Sequence, residues 1–87
     1  NNVSLLTLLS ASYQRLGQHV KAIHFYQQAI KIDPQQPKNW ISMAISQENK
    51  GQYDAAISSY QMALRSGAMN SRLQDFTRQR IRNLGGS

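Results

Sequence analysis

Two histidines, four carboxylates and ten Lys or Arg side chains are the residues with the strongest claim to chemistry in this 87-residue chain. His19 and His24 stand five positions apart, which puts them on different faces of a helix, and no nearby acid completes a metal site. We expect His19 in a solvated turn and His24 on a helix flank. Asp33, Glu48, Asp54 and Asp75 are scattered, so no carboxylate pair for acid–base work is evident. The serines form no Gly-x-Ser-x-Gly motif and no Ser–His–Asp arrangement. Gly17 and Gly51 stand alone and Gly85–Gly86 fall at what reads as a frayed end, so no phosphate-cradling loop is formed. Without cysteine there is neither a disulfide nor a thiolate ligand or nucleophile. The expectation is a non-enzymatic chain with no cofactor and no metal.

Charge points toward binding. Ten Lys and Arg against four acids give a net charge of +6, which favours encounters with acidic partners. Arg78, Arg80 and Arg82 alternate, so on a helix they splay across a wide arc, and Phe76 beside them is expected to face the core. A solvated face explains such a row. The alternative, a module for nucleic acid or an anionic surface, would need stacking aromatics among the arginines, and none interleaves. No apolar run approaches the roughly 20 residues that cross a bilayer, so no membrane insertion is expected.

What must position these side chains is a repeat. "GQHVKAIHFYQQAI" (17–30) returns 34 positions later as "GQYDAAISSYQMAL" (51–64). The same offset pairs Leu6 with Trp40, Leu9 with Met43, Ala22 with Ala56, Tyr26 with Tyr60 and Ala29 with Ala63. Before Gly17 the apolar residues Leu5, Leu6, Leu9, Tyr13 and Leu16 keep helical spacing, and after it Val20, Ile23, Tyr26 and Ile30 do the same. Each glycine sits where a helix ends in a left-handed conformation. Each unit is therefore two antiparallel helices. Pro34 cannot continue the second helix and Pro37 suits the first turn of the third. Gly67 reads as a stop, and "SRLQ" (71–74) as a capping box opening a last helix with Leu73, Phe76, Thr77, Ile81 and Leu84 inward. Helices are expected at 3–16, 19–32, 37–50, 53–66 and 71–84.

The spacing of Leu9, Tyr13, Gly17, Ala22, Tyr26, Ala29 and Pro34, repeated by Trp40, Gly51, Ala56, Tyr60 and Ala63, resembles the tetratricopeptide repeat. Gln47 departs from the aromatic at the Tyr13 slot and Ala68 from the closing proline. The resemblance implies an all-α, right-handed helix–turn–helix solenoid of five helices in one domain. Its parts would be repeats at about 3–36 and 37–70 and a capping helix at 71–84. The two repeats, ending in "MALRSGAMNSRLQDFTRQRIRNL" (62–84), are also similar to the carboxy-terminal end of bacterial pilus-assembly proteins of the mannose-sensitive haemagglutinin type. That likeness implies a periplasmic module of an inner-membrane-anchored assembly factor; without it the expected location is cytoplasmic. The chain opens on Asn and is read as a piece of a longer one.

In stacked helix pairs the first helix of each pair lines the concave side. Its positions off the buried stripe include Ser4, Thr7, Ala11 and Gln14 in the first unit. The second unit contributes Lys38, Ile41, Ser42, Ile45 and Glu48, and the cap Arg72, Asp75, Gln79 and Arg82. Ile41 and Ile45 have no evident interior task beside Trp40, Met43 and Ala44, so they are expected at the centre of a partner groove unless the helix is more fully buried. The expected partner is a protein or peptide with aliphatic anchors and some acids, not a specific nucleic acid. Leu8 exceeds what a free helix end needs; a preceding repeat or a second copy of the chain would cover it.

Overall fold

Left-handed glycines close three helices. In the computed structural model, which describes residues 2–86, Gly17, Gly51 and Gly85 take φ of +76°, +75° and +93°. At the first, Gln18 N–H donates to Tyr13 O at 2.9 Å and Gly17 N–H to Gln14 O at 3.0 Å. Gln52 N–H repeats this to Gln47 O at 2.8 Å, and Gly86 N–H to Ile81 O at 2.8 Å. Such paired bonds satisfy the last carbonyls of a helix and need a residue that tolerates positive φ. Residues 85–86, expected to fray, are held by the same closure.

The helices are α1 (Val3–Arg15), α2 (His19–Ile32), α3 (Pro37–Asn49), α4 (Tyr53–Ser66) and α5 (Ser71–Asn83), with no strand among the described residues. Each bound lies within one residue of its expectation. Pro37 opens α3 at its first turn, and Asp54 lies in the first turn of α4, where the helix dipole favours its charge. Gly67 ends α4 in an extended conformation: a Cβ there would meet Gln35 O at 3.0 Å, so the glycine lets two loops touch. The α5 cap is a correction. Asn70, not Ser71, accepts from Leu73 N–H at 2.8 Å, and the Gln74 amide donates to Met69 O.

Every helix packs on its neighbours in sequence, and α1 also touches α3. Two apolar clusters result. Ala22, Tyr26, Ile30 and Met43 form the first, and Ile41, Ala44, Ala56, Tyr60, Ala63 and Ile81 the second. The alanines Ala22, Ala29, Ala56 and Ala63 are fully buried, which lets helices approach while Tyr26 and Tyr60 fill the space beside them. Trp40 packs against both clusters and donates its indole N–H to Pro34 O at 2.9 Å.

Three groups of apolar residues depart from the expected stripes. Leu5, Leu16 and Val20 are exposed, since among the described residues no helix packs on the outer side of the first pair. Phe76 is 41% exposed and meets Tyr60 edge-to-face, while Thr77 is fully buried with its hydroxyl donating to Leu73 O at 2.8 Å. Ile41, expected outside, is 5% exposed.

Candidate protein-binding site

The burial of Ile41 moves the site. Helix α3 is enclosed by α2 and α4 and touched by α1, so Ile41 belongs to the second cluster and Ile45 packs half-buried against it. The aliphatic pair expected at the centre of a groove therefore has an interior task after all.

Two further expected residues are tied into the framework. The Gln14 amide donates to Ser42 O at 2.7 Å and to Ser46 Oγ at 2.9 Å, and its carbonyl accepts from the Tyr26 hydroxyl at 3.4 Å. It thereby clips α1, α2 and α3 together. Glu48 accepts from the Tyr60 hydroxyl and forms an ion pair with Arg80, whose Nε–H donates to the same carboxylate at 3.2 Å. Burial, then the hydrogen bond and charge of Glu48, push the Tyr60 phenol well above its ordinary range, with Arg80 pulling partly against them. The same carboxylate raises Arg80. Arg80 is thus separated in role from Arg78 and Arg82.

His19 is also corrected: it is half-buried, its Nδ1 2.9 Å from Ser46 Oγ, rather than in a solvated turn. His24 is exposed on α2, with Nε2 at 2.7 Å from the Gln28 amide. Among the described residues no three His, Cys, Asp or Glu side chains gather as a metal site would require.

What remains open lies nearer the amino terminus. A cleft of about 520 Å³ runs between α1 and the start of α3. It brings together Ser4, Thr7, Ala11 and Lys38 of the expected residues, with Val3 and the 60%-exposed Leu8 adding apolar lining. The Thr7 hydroxyl donates to Asn39 Oδ1 at 3.3 Å and fixes the cleft's inner wall. Ser42, Arg72 and Gln79 lie outside it, and Arg82 lines a different groove between α4 and α5. Leu8 stands out in the sequence as surplus apolar surface, but its link to Lys38 is not visible there, because the two line one cleft only when α1 lies on α3.

Stacked antiparallel helix pairs with glycine closures, enclosing alanine and tyrosine at matched slots, define an all-α helical-repeat protein. The family model described as tetratricopeptide repeat matches residues 13–79, which reach from α1 into α5. The chain belongs to that family. No curated protein matches it. Tetratricopeptide repeats mediate protein–protein interaction and are typically non-enzymatic scaffolds.

Proposed function

We propose that the chain holds a segment of a partner protein in the α1–α3 cleft. An aliphatic side chain of that segment would sit against Val3, Leu8 and Ala11, with an acidic group near Lys38. The observation that carries this reading is the cleft itself: apolar lining and one cation between the first helices of two successive pairs. Exposed apolar surface with a polar rim is the usual mark of a partner site, and a groove of this kind accepts an extended or helical segment. The likeness of the two repeats ending in 62–84 to pilus-assembly proteins is the sole basis for seeking that partner among pilus-assembly components, on the periplasmic side.

The test is selection of peptides from a random display library on the immobilised chain, followed by affinity measurement against variants. Selected peptides should carry an aliphatic anchor beside an acid. Leu8→Ser and Lys38→Glu should each weaken them about tenfold, since hydrophobic anchors and desolvated charge contacts are worth on the order of 1–2 kcal/mol. Peptides that bind both variants as well as the parent would remove the cleft from consideration.

A further inference from the structure

A second groove, of about 460 Å³, lies between α4 and α5 and shares no lining residue with the α1–α3 cleft. Leu64 and the buried Ile81 form its floor, Gln61 flanks it, and Arg65, Arg78 and Arg82 surround it. The 34-residue offset explains its shape. Arg78, Ile81 and Arg82 hold on α5 the slots that Ala44, Gln47 and Glu48 hold on α3. Those α3 residues face α4. Ala44 packs with Ala56, Tyr60 and Ala63, Gln47 accepts from Ser59 at 2.7 Å, and Glu48 accepts from Tyr60. On α5 the matching Ile81 is buried against the second cluster, whereas Arg78 and Arg82 are exposed, with no helix over them among the described residues.

Its chemistry selects the occupant. A guanidinium in the slot of Ala44 holds off a helix packed as closely as α4 is on α3, unless that helix brings carboxylates to meet it. Among the described residues the ion pair of Arg80 with Glu48 is the only one, so Arg65, Arg78 and Arg82 face the groove without a counter-charge. No acid lines it. We propose that this groove docks an acidic amphipathic helix of a partner protein. Aliphatic side chains of that helix rest on Leu64 and Ile81. Carboxylates one turn apart pair with Arg78 and Arg82, and Arg65 reaches them from α4. A second copy of the chain cannot supply such a helix: it has four acids, no two on one helix, and a net charge of +6. Nucleic acid suits the groove less well, because the floor is aliphatic and no aromatic side chain lines it for base stacking.

The experiment titrates the 87-residue protein with a synthetic helix of about 15 residues carrying Leu and Glu at i, i+4 spacing. The comparison ligands are its Glu-to-Gln counterpart, a scrambled peptide of the same composition and a single-stranded oligonucleotide. Dissociation constants are read alongside methyl NMR shifts. The acidic helix should bind, moving the methyl signals of Leu64 and Ile81. Affinity should fall about tenfold in Arg78→Gln/Arg82→Gln and measurably in Arg65→Gln, each checked for unchanged helicity. The shifts at Leu64 and Ile81 should persist in Leu8→Ser and be lost in Arg78→Gln/Arg82→Gln, which separates this groove from the cleft. The proposal is wrong if the helix does not bind, if shifts map to Thr7 and Ala11 instead, or if the neutral or scrambled peptide binds equally. It is equally wrong if the oligonucleotide binds more tightly with the same arginine dependence.

Discussion

The Tyr60 phenol illustrates how one residue couples stability to pH. It is fully buried, donates to Glu48 and has a raised pKa. Above its ordinary value of 10.0 the unfolded chain releases that proton while the folded chain retains it. The stabilisation is therefore complete below pH 10 and is lost as pH climbs toward the folded pKa. Urea unfolding of the parent and Tyr60→Phe at pH 8, 9.5 and about 11 should show a gap in stability that narrows at the alkaline end. A gap that stays constant would mean the phenol is not held by burial and Glu48. None of this was legible from sequence. Glu48 looked like a groove residue and Arg80 like one of an arginine row, because their pairing depends on how α3 and α5 lie across each other. The error at Ile41 has a related origin. Helical periodicity gives one face per neighbour, and α3 has neighbours on three sides.

At the scale of the element the sequence was more informative. A period near 3.6 and the paired glycines place five helices to within a residue, since both signals are local and each has a direct steric cause. Capping was harder to read, because two adjacent polar residues, Asn70 and Ser71, could each serve, and only the backbone decides. With Asn70 at ψ of 163° and its carbonyl oxygen on Leu73 N–H, Asn70→Ala should cost about 1 kcal/mol, or roughly 5 °C in melting temperature. Ser71→Ala, one position inside the helix, should stay within about 0.5 kcal/mol. Thermal melts of the two variants by circular dichroism separate the caps; equal losses would restore Ser71.

Over the whole molecule, the two apolar clusters share one side chain. Trp40 is the only tryptophan in the chain, and it sits where the first cluster meets the second. Neither helix pair encloses a core large enough to be stable by itself, so the halves are expected to melt together, as neighbouring units of a linear stack do. Fluorescence of Trp40 and ellipticity at 222 nm should then give coincident urea transitions. A tryptophan transition that precedes the loss of helix would show the two halves parting before either unravels. The indole thus serves as a built-in lamp at the hinge line of the molecule. Because its N–H is fastened to the loop at Pro34, its colour follows the joint between units, and it can watch a partner tighten or pry that joint without any added dye.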